Sequence, residues 1–349
     1  MRRSDDEIAF VVPGQLDQLT GGYLFDRRIV EGLRGHGRVV RVIELSQRAD
    51  IAPLAALPDE TATVVDGLAL AHHAELMIVQ ARRLRLIAFI HGPLAQETGL
   101  LPAAAKRAAE IEAALLSRVR GVLCPSRGTA AAVAGYGISP ERIAVVPPGT
   151  MKPARPSGPR RFPVRALLCV ANLLPRKGHE LLVAALARIR DLDWSLTCVG
   201  SLERDPATAR AVHRRIRTVG LGRRITLAGE IPPRLVAQAY RAADAFVLPS
   251  FHEGYGMVYA EAMAHGLPVI ATTAGAIPET VPPHAGLLVP PGDPAALARA
   301  LRRVIAQPAL AAQLATGSRT AGARLPDWAQ ATENWERAFD RLAALDPPR

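Results

Sequence analysis

Two glutamates, Glu253 and Glu261, stand eight positions apart in a segment that runs Pro249-Ser250-Phe251-His252-Glu253-Gly254-Tyr255-Gly256-Met257 and continues as an apolar stretch through Met263. Ionised carboxylates are hydrogen-bond acceptors, and two of them so spaced could hold hydroxyl groups on either side of a diphosphate. Gly254 and Gly256 let backbone amides approach a ligand with no Cβ in between. A helix starting near Met257 would turn its free N–H groups and positive dipole end toward the same point, which predicts an anion seat. With Glu253 in the loop and Glu261 just over one turn into the helix, the helical part of their separation is roughly 6 to 8 Å at about 1.5 Å rise per residue. Singly, each glutamate reads equally well as a solvated polar residue; together, flanking a strand, a Gly-x-Gly and a helix, they point to function.

Upstream, Lys177 follows the apolar run Ala166 to Val170 and precedes the amphipathic run Leu181 to Ile189, with Gly178, His179 and Glu180 between. It therefore belongs to a strand-to-helix turn, where an ammonium can meet a phosphate. Lys106, Lys152 and Lys177 are the only lysines of an otherwise arginine-rich chain. The neighbouring Arg176 reads either as a second phosphate contact or as part of a solvated basic turn. His91 ends the apolar run Leu84 to Ile90, and a histidine at the carboxyl end of a parallel strand can reach an open α/β crevice; the alternative is a loop histidine bonded to nearby backbone. Gly21 and Gly22 close a loop between the strand candidate Ile8 to Val12 and the helical stretch Leu24 to Leu33. Asp191-Leu192-Asp193 has the D-x-D form of some metal sites but stands between a helical stretch and the strand Trp194 to Val199. His72-His73 reads as a solvated helix face. No metal is expected.

These motifs resemble the retaining glycosyltransferases of family 4, which have the GT-B fold. Glu253 to Glu261 matches the E-x7-E motif, and the likeness extends from Gly21-Gly22 to the turn Pro290-Pro291-Gly292-Asp293-Pro294. The resemblance implies that Glu253 lies by the donor sugar, that Glu261 holds the nucleotide ribose, and that Gly254, Tyr255 and Gly256 line the donor. Ala171 to Gly178 is similar to the family's G-R-x-x-x-x-K-G, with Lys177 and Gly178 matching, Ala171 in place of the glycine and Asn172 in place of the diphosphate-binding arginine; Arg176 is the substitute expected for it. Thr273 to Glu279 is similar to the G-G-x-P-E loop near the sugar, with Gly275 matching and Ala276 replacing the second glycine. The resemblance also carries Gly22 to the glycine loop facing the donor and His91 to the histidine set against the sugar. Glu253, His91 and Lys177 are thus the expected catalytic residues.

The implied reaction is transfer of a sugar from a UDP-, GDP- or ADP-sugar to an acceptor hydroxyl on a glycan, lipid or small molecule, with retention at the anomeric carbon and without a metal or other cofactor. Two alternatives are a GT-B relative with other chemistry, such as an epimerase or phosphorylase, and a non-catalytic sugar-nucleotide-binding protein. A G-x-G-x-x-G dinucleotide fingerprint is absent, because Gly35-His36-Gly37, Gly135-Tyr136-Gly137 and Gly254-Tyr255-Gly256 each lack the third glycine.

To position such residues the chain needs open parallel sheets, and short apolar strands alternating with helical stretches on both sides of a proline-rich connector supply that pattern. The 349 residues exceed a usual single-domain core. Pro147-Pro148, Pro153, Pro156, Gly158, Pro159 and Pro163 mark the connector, giving a Rossmann-like acceptor-side domain over 1–155 and a Rossmann-like, doubly wound nucleotide-sugar domain over 156–325, the two facing across a cleft. Residues 326–349 form a helix expected to return to the first domain, with Trp328, Trp335, Ala338 and Phe339 as its apolar side.

The net charge of +11 is spread over separate pairs, Arg27-Arg28, Arg82-Arg83, Arg160-Arg161, Arg214-Arg215 and Arg223-Arg224, and aromatics are only 4% of residues. That argues against nucleic acid, which favours a focused basic face with stacking rings. A basic surface suits an anionic donor, or peripheral contact with the inner face of a membrane. No run of 18 apolar residues suggests a span, Asp5, Asp6 and Glu7 interrupt any secretory signal, and three cysteines in apolar segments read as buried thiols of a cytoplasmic, bacterial enzyme.

Overall fold

The structure is a computed structural model describing residues 7–45, 51–153 and 162–348. The chain divides into two compact units, one formed by Met1–Gly149 with Pro326–Arg349 and the other by Thr150–Leu325. The division falls a few residues ahead of the 155/156 boundary read from the prolines. Pro156, Gly158, Pro159 and the Arg160-Arg161 pair lie outside the described residues, as do Asp5 and Asp6.

Among its described residues the first unit holds six strands: β1 (Glu7–Val12), β2 (Val39–Glu44), β3 (Ala62–Asp66), β4 (Arg85–Phe89), β5 (Gly121–Cys124) and β6 (Ile143–Val145). All pair in parallel, in the order β2-β1-β3-β4-β5-β6. β3, β4 and β5 are almost wholly buried, which is why they read as continuous apolar runs rather than alternating ones. The chain leaves β1 toward β2 on one side and resumes at β3 on the other, so the order reverses between β1 and β3. In an open α/β sheet that reversal opens a crevice at the carboxyl ends of the strands.

The helix Gly21–Gly35 follows β1, so Gly21 and Gly22 are its first turn and not the end of a loop. Their N–H groups are among the first of the helix, which have no intrahelical partner. The helix Trp328–Ala343 packs against Gly21–Gly35, β4 and β5. Asp327 and Gln330 form a capping box at its start. Trp335 is fully buried, stacks on Phe339 at 5.3 Å, and meets the rings of Phe10 and Phe89 at 6.0 Å each.

The second unit repeats the plan with β7 (Ala166–Val170), β8 (Ser195–Val199), β9 (Ile225–Leu227), β10 (Ala245–Leu248), β11 (Val269–Thr272) and β12 (Gly286–Val289). The parallel order is β12-β11-β10-β7-β8-β9, with the reversal between β7 and β10. The three cysteines are free and buried; Cys169 of β7 and Cys198 of β8 face each other in register. Among the described residues no helix is long and apolar enough to cross a membrane.

Candidate functional site

β7 and β10 are paired neighbours at the reversal of strand order, and the loops that follow them touch beside it. Each loop hands over to a helix there, His179–Leu186 after β7 and Met257–Ala264 after β10. Gly178 and Gly256 occupy the N-cap positions in the left-handed region, at φ +70° and +85°. Gly178 has a second reason to be glycine: a Cβ there would lie 2.3 Å from the carbonyl oxygen of Pro249. The loops are tied further by the amide of Phe251 donating to the carbonyl of Arg176 at 2.7 Å.

That meeting brings Lys177 and Glu253 together. Lys177 Nζ donates to Glu253 Oε1 at 2.5 Å, Ser250 Oγ donates to the same oxygen at 2.7 Å, and Arg176 Nη1 stands 3.5 Å from Oε2. Glu253 is only 6% exposed. Burial pushes its pKa up, but the charges of Lys177 and Arg176 and the hydrogen bonds from Lys177 and Ser250 outweigh it, so the carboxyl is held below its ordinary value. At Lys177 burial also comes first, and with Arg176 beside it the ammonium is lowered from its ordinary value in spite of Glu253. The two directions pull apart on whether the pair is comfortable as ions. The 2.5 Å contact and three donors around one carboxylate favour the ionised pair.

Glu261 is held elsewhere, on the helix Met257–Ala264, where Tyr240 Oη donates to its Oε2 at 2.9 Å. Burial raises its pKa and the tyrosine hydrogen bond partly offsets that. Tyr240 in turn stacks on His265 with 5.2 Å between ring centres. Asn172, in the arginine's expected place, spends its Oδ1 on the amide of Ser201 at 2.9 Å and so pins the loop after β8. Tyr255 has its carbonyl bonded by Thr280 Oγ1 at 2.6 Å, next to Gly254. Gly275 lets the loop after β11 press on the motif, since a Cβ there would lie 2.4 Å from the carbonyl oxygen of Glu253.

A second polar cluster lies at the reversal in the first unit. His91, just past β4, places Nε2 at 2.9 Å from Asp26 Oδ1 and 3.3 Å from Asp66 Oδ2. Asp66 is the last residue of β3, and Asp26 lies on Gly21–Gly35 one turn beyond Gly22, where an added Cβ would be 3.3 Å from the His91 ring. His91 is therefore bonded to two carboxylates and not to nearby backbone. The loop after it is anchored by Glu112, whose Oε2 accepts from the amide of Leu94 at 3.1 Å and from Tyr136 Oη at 3.0 Å.

Asp26, Asp66, Ser250 and Tyr240 were not singled out from the sequence. Asp66 carried a usable signal, an acid at the end of an apolar strand and just before a glycine, matching His91 at the end of the next strand. Asp26 did not, for an acid on a helix ordinarily faces water.

Cys169, His179 and Cys198 place their ligating atoms within 4.8 Å of one another, all buried. Burial and the charge of Lys177 depress His179 to about 4, and the same charge opposes a bound cation, so this trio belongs to the core. Asp191 forms a paired contact with Arg302 at 2.7 Å and Asp193 one with Arg165 at 3.3 Å, which accounts for the D-x-D as surface ion pairs.

Two family models match, "Glycosyltransferase Family 4" over residues 20–150 and "Glycosyl transferases group 1" over residues 164–307. A D-inositol 3-phosphate glycosyltransferase from Streptomyces bingchenggensis is 33% identical over 201 residues, covering 52% of this chain and 44% of that protein. An MMP alpha-(1->4)-mannosyltransferase from Mycolicibacterium hassiacum is 28% identical, covering 74% of this chain and 67% of that protein. The chain spans about half the length of the first curated relatives it matches. Among solved structures, sucrose-phosphate synthase from Thermosynechococcus elongatus superposes with a TM-score of 0.81 at 25% identity, covering 97% of this chain and 99% of that one. Anabaena HepE in complex with UDP and glucose shares the fold, with a TM-score of 0.75 at 19% identity over 95% of this chain and 99% of that one.

Proposed function

We propose, for a chain that belongs to the family 4 glycosyltransferases, that it moves a sugar from a nucleoside diphosphate sugar to an acceptor hydroxyl with retention of anomeric configuration. The observation that carries this is the meeting of Lys177, Arg176 and Glu253 at the β7/β10 reversal, beside the starts of the two helices that follow these strands. Such a point suits a diphosphate, because cations and oriented N–H groups stabilise the negative charge that grows as the phosphate leaves.

In this reading the donor's diphosphate shares Lys177 and Arg176 with Glu253, whose freed oxygen accepts from a sugar hydroxyl. Glu261 accepts from the ribose, with Tyr240 fixing its orientation. Gly254, Tyr255, Gly256, Gly275 and Gly22 shape the donor's surroundings, Asn172 acts through the loop it pins, and His91 hydrogen-bonds the sugar. The bond from the anomeric carbon to the phosphate oxygen breaks, the acceptor oxygen bonds to that carbon on the same face, and the acceptor's proton passes to the leaving phosphate. No metal or cofactor is invoked, because the protein's own cations supply the positive charge. The acceptor is a glycan, lipid or small molecule, and a contact with an anionic membrane surface is compatible with the net charge.

Thermal-shift screening against UDP-, GDP- and ADP-sugars comes first, since a ligand bound to the native state raises its apparent stability. The donor that shifts the transition is then incubated with candidate acceptors and the product anomer read by NMR. Lys177→Ala is expected to lower transfer at least tenfold. An inverted product, interconversion of the donor without acceptor, or binding without turnover on any acceptor would each overturn the assignment.

A further inference from the structure

The cluster around His91 has an arrangement that the transfer reaction as described above does not require. One carboxylate beside an imidazole orients it and leaves the far nitrogen free to take a proton, the arrangement of a general base. Here two carboxylates converge on the same nitrogen. Asp26 is 1% exposed, its Oδ2 is shut from solvent with no hydrogen-bond partner among the described residues, and His91 is the cation that offsets its charge. Asp66 cannot turn away: its Oδ1 accepts from the amides of Leu68 at 2.7 Å and Ala69 at 3.3 Å as the cap of the helix Gly67–His72, which aims Oδ2 at the ring.

The charged groups facing His91 are Asp26 from Gly21–Gly35 and Asp66 from the end of β3. Phe25 and Phe89 supply apolar ring contacts at 5.8 and 4.4 Å, and Arg28 lies over Trp328 at 6.0 Å. The ring keeps an exposed edge, its side chain being 23% accessible, and Nδ1 has no partner among the described residues.

We propose that Asp26 and Asp66 are positioning residues that keep His91 an imidazolium, so that its Nδ1–H is a fixed, charged hydrogen-bond donor to a substrate oxygen and His91 does not act as a base. A proton between two buried acids is costly to remove, because its loss would leave two carboxylates together in a low-dielectric site with nothing to offset them. Burial alone depresses His91, but the charge and hydrogen bond of Asp26, joined by Asp66, carry it up to about 10. Asp26 is itself raised to about 6, by burial first and by Asp66, with His91 pulling the other way. The group that meets Nδ1 is accordingly an acceptor, a sugar hydroxyl oxygen or a phosphate oxygen. This rests on the proposed transfer only for the identity of that oxygen.

The charge can be read without any substrate. In 15N-histidine-labelled protein, with the His91 signals identified by their loss in His91→Gln, the imidazolium pattern is expected to persist from about pH 5.5 to about 8.5. In Asp26→Asn, the pattern should give way to neutral imidazole at least one pH unit lower. In the transfer assay, kcat/KM of that variant should acquire a limb that falls as pH rises through the new His91 titration, while wild type shows none. Wild-type titration near the ordinary value of about 6.5, or an Asp26→Asn variant whose His91 titrates as in wild type, overturns the proposal. Should Asp26→Asn fail to fold by circular dichroism, the wild-type titration still decides. A persistent imidazolium with no transfer from any donor retains the lock and removes the proposed function instead.

Discussion

Lys177 and Glu253 are 76 positions apart in the chain and 2.5 Å apart in space, an ion pair formed by the loops that follow two paired strands at the reversal of strand order. The two side chains are only 13% and 7% accessible, so the pair is not an ordinary surface contact. Its consequences for stability can be measured apart from any activity.

Removing one partner leaves the other's charge buried without compensation, which costs about 3 to 5 kcal/mol in comparable cases. Lys177→Met is therefore expected to lower the urea unfolding free energy by about 3 kcal/mol, and Lys177→Met with Glu253→Gln by clearly less than the two single changes added together. Additive losses would show that the two groups do not interact.

The pH dependence follows from the direction of the Glu253 shift. Burial opposes ionisation, but Lys177 and Arg176 prevail and the folded-state value lies below the ordinary 4.5. Between those two values the unfolded chain binds more protons than the folded one, so stability falls as pH falls. The contribution is complete above about pH 4.5 and disappears as pH drops through the lowered value. Denaturation curves from about pH 6 down to about pH 3 should lose part of this acid-side slope in Glu253→Gln; an unchanged slope would refute the assignment.

Tyr240→Phe removes the hydroxyl that donates to Glu261 at 2.9 Å. A buried carboxylate deprived of its partner costs about 1 to 3 kcal/mol, and its pKa should rise further because the lowering influence of Tyr240 is gone. Donor affinity should weaken at neutral pH, measured by calorimetry. Unaltered affinity would separate Glu261 from nucleotide binding.

Gly178→Ala combines two penalties. The backbone stands at φ +70°, which costs an L-residue roughly 1 kcal/mol or more, and the new Cβ would meet the Pro249 carbonyl oxygen at 2.3 Å. We expect a loss of about 2 kcal/mol or more in stability and a displaced Lys177. A variant as stable as wild type would mean that the two loops separate without cost.

Much of the second unit was legible in the sequence because its central strands β7, β10 and β11 are buried along most of their length. The runs Ala166 to Val170, Ala245 to Leu248 and Val269 to Thr272 contain few polar residues, and prolines or glycines end the loops that follow. The helix start at Met257 was likewise readable from Gly256. What was not legible was the partnership of Lys177, which a one-dimensional reading assigned to a phosphate while the folded chain gives it a carboxylate. Distance across 76 positions depends on strand order, and no local pattern encodes that. Asp26 shows the same limit: its neighbours Phe25 and Ile29 predict a buried helix face, but only the packed unit reveals that an acid is enclosed with them.

The helix Trp328–Ala343 follows the whole second unit in the chain, yet Trp335 meets the rings of Phe10 and Phe89 in the first. Until it arrives, those rings have no cover from it, and the contiguous second unit can finish folding before the first one does. The first unit is therefore complete only after the second has been made, whereas a contiguous amino-terminal domain can mature first. During that interval the apolar surface of Phe10 and Phe89 that Trp335 covers in the folded unit stays without that cover.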